Sequence, residues 1–162
     1  MAIQQLGYNV SGNIGVLGIA DSSGNWKYYP DYTTALREAV SGQTIVQFAD
    51  IEEKNNITII LKSGVNINLN GFTYLAKGSV QFTDNNIAVT CLISNGTLRT
   101  TYQLNNTAFI YIRNASSTIT TNCFIESTNT TCYTIQCSGT WNGGVIKSAG
   151  ASLSSCGVYI LG

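Results

Sequence analysis

Val65-Asn66-Ile67-Asn68-Leu69-Asn70-Gly71-Phe72 alternates apolar and polar side chains for five positions and then breaks on Asn70-Gly71. Period-two alternation marks a strand with one buried face, and Asn-Gly supplies the left-handed backbone of a tight corner. Outward from this stretch the pattern returns. Alternating segments start at Ile87-Ala88-Val89-Thr90-Cys91, Ala108-Phe109-Ile110-Tyr111-Ile112, Tyr133-Thr134-Ile135-Gln136-Cys137 and Gly157-Val158-Tyr159-Ile160. Their centres Ile67, Val89, Ile110, Ile135 and Val158 lie 22, 21, 25 and 23 residues apart. A second series interleaves with the first. Asn70-Gly71-Phe72, Asn95-Gly96-Thr97-Leu98, Asn122-Cys123-Phe124-Ile125 and Asn142-Gly143-Gly144-Val145 each place Asn, a small residue and an apolar strand in order. Their Asn residues step by 25, 27 and 20.

Repeats of 20–27 residues, with short strands and no helix inside them, predict an all-β solenoid. One such coil cannot bury its inward face alone, but stacked coils pair their backbones and align inward residues as ladders. Composition points the same way. Charged residues make up only 10% of the 162 residues, whereas 17 Asn, 19 Thr and 15 Ser carry the polar load. Stacked like charges repel, while stacked Asn and Thr can hydrogen-bond. A β-sandwich of many short strands is the alternative architecture.

The segment before the repeats divides in two. Residues 1–29 form a Gly-rich arm followed by an aromatic cluster, with little material for a core of its own. Residues 30–56 hold the one helix and the first strand. Asp31 or Thr33 offers an N-cap, Leu36, Ala39 and Val40 make an apolar stripe, and Gly42 suits a left-handed C-terminal position. Thr44-Ile45-Val46-Gln47-Phe48-Ala49 and Ile57-Thr58-Ile59-Ile60-Leu61 read as strands, and Asp50 to Asn56 as a solvated connection. Residues 57–162 are coils, expected to continue beyond the chain end.

Several function classes are excluded by residue counts. Eight Lys and Arg balance eight Asp and Glu, which is the wrong balance for a phosphate-neutralising nucleic-acid binder. There is no His, so Ser-His-Asp, Cys-His and His-based metal chemistry are ruled out. Five cysteines without a C-x-x-C pair read as reduced, buried fillers. No metal or cofactor is expected. No run reaches the roughly 18 apolar residues of a membrane span, and the N-terminus lacks a secretory pattern.

The stretch Tyr32 to Val46, with Ile57 to Leu61 and Val65 to Gly71, resembles the opening of a pectate-lyase-like right-handed parallel β-helix. Such proteins cap the first coil with a short amphipathic helix, then run a Gly-polar-Thr-Ile-Val strand and an Asn-Leu-Asn-Gly corner. The likeness covers residues 30–75 by motif and 76–162 by periodicity. It implies either a polysaccharide-active enzyme, an adhesin, or a phage tailspike or fibre. Within that set the expectation is a structural virion protein, the N-terminal anchoring and shaft region of a phage tail fibre, tailspike or head fibre. It would be a homotrimer assembled in the host cytoplasm and acting in host attachment. Ile3, Leu6, Tyr8, Val10, Ile14, Val16, Leu17 and Ile19 would anchor the arm to other virion proteins. Trp26, Tyr28, Tyr29 and Trp141 are candidates for contact with a host glycan or a subunit interface, and Tyr102 and Tyr111 could also stack on sugars.

Catalysis is not expected within this chain. Glycoside hydrolysis needs a carboxylate pair at defined separation, and lyases need a base with a cation. Only Asp84 and Glu126 fall in the repeats, nearly two coils apart. The alternatives are a polysaccharide-degrading enzyme with its site beyond residue 162, and a carbohydrate-binding adhesin module.

Overall fold

The computed structural model describes residues 15–103, 108–128 and 133–149, and the backbone of 158–160. It begins with an antiparallel hairpin, β1 (Leu17–Ala20) and β2 (Trp26–Tyr29), closed by a turn in which the Asp21 carboxylate accepts the Ser23 and Asn25 amides. Helix α1 (Tyr32–Glu38) follows, N-capped by Asp31, whose side chain accepts the Thr34 N–H at 2.7 Å. The helix stops at Glu38, earlier than the apolar stripe predicts. Ala39 already has extended backbone as its C-cap, and Gly42 (φ 90°) serves the turn into the next strand instead of the helix end.

The rest winds as stacked coils of three short strands. The first coil is β3 (Thr44–Gln47), β4 (Ile51–Glu53) and β5 (Ile57–Ile60); the second is β6 (Asn66–Asn68), β7 (Thr73–Ala76) and β8 (Val80–Thr83). The third is β9 (Thr90–Ser94), β10 (Thr97–Thr100) and β11 (Ile110–Ile112). In the fourth, β12 (Thr118–Ser127) bends through a corner and is followed by β13 (Ile135–Cys137). The last holds β14 (Thr140–Ser148) and β15 (Val158–Ile160). All coil-to-coil pairings are parallel, which makes the molecule a β-solenoid. The solenoid expectation therefore holds, and the Asp50–Asn56 connection is corrected: its first part is β4, which pairs with β7.

Each face carries an inward ladder. On the first, Ile45 pairs with Ile67 and Ile67 with Ile93. On the second, Ile51, Tyr74, Leu98, Ile125 and Ile146 share one register. On the third, Ile59, Phe82, Ile110 and Ile135 do. Val89 and Ile110 are both buried, but on different faces, so the series linking Ile67 and Val89 to Ile110 steps from one face to another. Equal spacing along the chain is not equal register here because the loops between faces differ in length.

Aromatic rings fill the lumen at the helix end. Tyr32 of α1 meets Tyr74 at 5.5 Å and Phe82 at 6.4 Å between centroids, and Phe82 meets Phe109 at 5.6 Å. The Tyr32 hydroxyl donates to Gln47 Oε1, and the Gln47 amide donates to the Ala49 and Thr73 carbonyls. The helix is thus a plug, fixed by one buried polar relay and by aromatic contacts worth about 0.5–1.5 kcal/mol per pair beyond area burial.

Candidate functional site

The hairpin places the first of the expected contact residues. Leu17 and Ile19 point inward and are buried, and Val16 packs against the same core. Their apolar surface is spent on their own chain, because β1 pairs with β3 and continues the first face, so as partner anchors Leu17 and Ile19 are corrected. Ile3, Leu6, Tyr8, Val10 and Ile14 lie outside the described residues.

Outward, the hairpin carries an aromatic platform. Trp26 meets Phe48 edge-on at 5.2 Å, and Tyr28 lies 5.8 Å from Phe48 and 6.5 Å from Trp26. Gly18 is the floor: a Cβ there would stand 2.6 Å from Phe48 Cε2 and 2.9 Å from Trp26 Cε3. Trp26 remains 43% exposed. Of the four expected contact aromatics, Trp26 and Tyr28 come together. Tyr29 alternates to the other side and is buried, and Trp141 is on β14, packed against the core with its indole N–H donated to the Gly143 carbonyl. Tyr102 is exposed on its own, and Tyr111 lies under the Arg113 guanidinium. Phe48, the third ring of the platform, lies near the end of the first predicted strand, Thr44 to Ala49, where its outward direction follows from alternation.

All eight carboxylates have partners within the chain. Asp21 and Asp31 hold a turn and a helix cap. Glu38 pairs with Lys27, and Glu52 with Lys54 and Lys77. Asp50 accepts the Thr73 N–H and Glu53 the Asn55 N–H. Glu126 sits between Arg99 and Lys147, each at 2.9 Å, one coil to either side. The Lys147 hydrogen bond, with the Arg99 charge, holds the Glu126 carboxyl below the usual range.

Asp84 is the deepest of them. It is fully buried and accepts the N–H groups of Asn86, Arg113 and Asn114 and the Ser117 hydroxyl, at 2.8–3.0 Å. Burial alone would raise its pKa, but these donors outweigh burial and hold it below the ordinary value. Asp84 and Glu126 are not brought together as a catalytic pair, since each is saturated in a different inter-coil joint. Cys91, Cys123 and Cys137 are buried free thiols, and burial pushes Cys91 up to about 12. Cys132 and Cys156 lie outside the described residues. Among the described residues no cluster of three metal-ligating side chains occurs.

A groove of about 390 Å³ opens between α1, the end of β5 and the loop of residues 84–89. Sequence reading missed it because its walls come from three separated segments. Comparison with protein families, with curated proteins and with solved structures finds no match to this chain.

Proposed function

We propose that this chain is a structural solenoid, a shaft-and-anchor part of a phage tail fibre, tailspike or head fibre whose copies associate side by side as a trimer. The observation that carries the reading is the use of its carboxylates. Every one holds a turn, a cap, the helix-to-hairpin ion pair or a joint between coils, so chemistry by any of them would cost a structural contact. Outward-facing Leu92, Phe124 and Val145 flank the corner between the first two faces, and such apolar surface supports lateral contact between copies. The anchoring role falls to residues 1–14, because deleting 1–24 would also remove β1 from the core. The reading is tested by incubating the chain with neutral and acidic polysaccharides. No reducing ends should appear; release that Glu126→Gln or Asp84→Asn abolishes would replace it with an enzyme.

The Trp26–Tyr28–Phe48 platform favours a second reading, a carbohydrate-binding adhesin module. Glycan-array binding that Trp26→Ala removes and Trp141→Ala leaves intact would support it.

A further inference from the structure

We infer that the groove beside α1 is a docking site for an extended segment of a different protein, one that carries apolar side chains and a carboxylate. Three observations converge on it.

The first is an open strand edge. β5 ends the five-stranded sheet and pairs only with β8 among the described residues. The N–H groups of Ile57 and Leu61 donate to the β8 side, reaching the Ser79 and Thr83 carbonyls. By alternation, Thr58 and Ile60 turn their N–H and C=O groups to the opposite edge, and both residues line the groove. An exposed strand edge is a template for one more strand.

The second is apolar surface left uncovered. Ile60 is 47% and Ile87 65% exposed, on two walls of a cavity whose volume is in the ligand-sized range of roughly 300–1,000 Å³.

The third is charge. Of the eight Lys and Arg residues, seven have a partner: Lys27, Lys54, Lys77, Arg99 and Lys147 are in ion pairs, Lys62 donates to the Ala39 carbonyl, and Arg113 covers Tyr111. Among the described residues Arg37, on the groove's helix wall, makes no hydrogen bond, salt bridge or ring contact, and the nearest anion it feels, Glu38, is already held by Lys27. The chain's own carboxylates are all engaged, and residues 1–14 contain no Asp or Glu. A second copy or the arm is therefore the poorer source of the missing anion, and a foreign segment the better one. The site does not depend on the fibre reading.

The test is selection from a random 12-residue peptide library displayed on yeast, using the whole chain as bait. Enriched peptides should share apolar residues two positions apart and one Asp or Glu. Arg37→Glu should weaken them about ten-fold or more, and exchanging the peptide's acidic residue for Lys should restore binding to that variant. Thr58→Pro, which removes an edge N–H, should also weaken binding, with Ile60→Asn as a second probe should the first disturb folding. No enrichment, consensus peptides without a carboxylate, or equal binding to Arg37→Glu would overturn the proposal. So would an Arg37→Glu variant that changes only the molar mass of the chain, since the occupant would then be another copy.

Discussion

Two corners of the coil solve the same problem with opposite chemistry. Between the first and second faces, Asn68, Asn95 and Asn122 stack as a neutral ladder: Asn95 Nδ2 donates to Asn68 Oδ1, Asn122 Nδ2 to Asn95 Oδ1, and Asn122 Oδ1 accepts the Asn95 N–H at 2.8 Å. Asn70 and Asn95 take left-handed backbone, φ 53° and 59°, and in the last coil Gly143 replaces them where a Cβ would stand 2.4 Å from the Thr121 carbonyl. Between the third and first faces the joint is a single charge, Asp84, gathering donors from the coil below. A ladder of neutral side chains can be extended one rung at a time. A buried carboxylate fixes one joint, and it works only when all its donors are present.

The largest way to break this contrast is Asp84→Ala. It strands buried donors from Arg113, Asn114 and Ser117, so about 3 kcal/mol or more should be lost in urea unfolding. Asn95→Ala should cost about 1–2 kcal/mol, because the ladder loses one rung and the backbone keeps a conformation alanine resists. Asn95→Gly should recover the backbone share. Near-equal losses at Asp84 and Asn95 would show that the two corners carry the same load.

Acid should sharpen the difference. The folded pKa of Asp84 lies below its unfolded value, so its contribution is complete above about pH 4 and is lost as pH falls through the folded value. Thermal unfolding between pH 5 and 2 should show this decline in the native chain and a shallower one in Asp84→Asn. At the small end, Glu126→Gln should change stability by about 1 kcal/mol or less, because the Arg99–Glu126–Lys147 row lies at the surface. The raised thiols of Cys91, Cys123 and Cys137 should resist iodoacetamide at pH 8 until the chain unfolds, as mass spectrometry of the digested protein would show.

The same contrast explains what was legible in the sequence. The Asn corner repeats its chemistry in the three middle coils, so Asn70-Gly71, Asn95-Gly96 and Asn122-Cys123 reveal it directly. The return corner uses a different device in each coil, Lys62-Ser63-Gly64 first and Asp84 to Ile87 next, and its loops vary in length. That variation put Val89 in register with Ile110, where the structure pairs Phe82 with Ile110. Residues 15–24 read as arm because Gly15, Gly18 and Gly24 dilute Leu17 and Ile19. Gly18 is small for a packing reason, to seat Trp26 and Phe48, which composition does not display. Asp84 stood out as a carboxylate, but three of its four donors lie 29 to 33 residues away. Arg37, Ile60 and Ile87 meet only once the chain is wound.

The central claim, that charge is spent on turns, caps and joints within the chain while apolar outer residues are kept for joining chains, is tested most directly by the native molar mass. Light scattering should give three times 17.4 kDa at low and high protein concentration, and Phe124→Asp with Val145→Asp should reduce it while leaving the β-rich circular dichroism unchanged. A single-chain mass at every concentration would contradict the account.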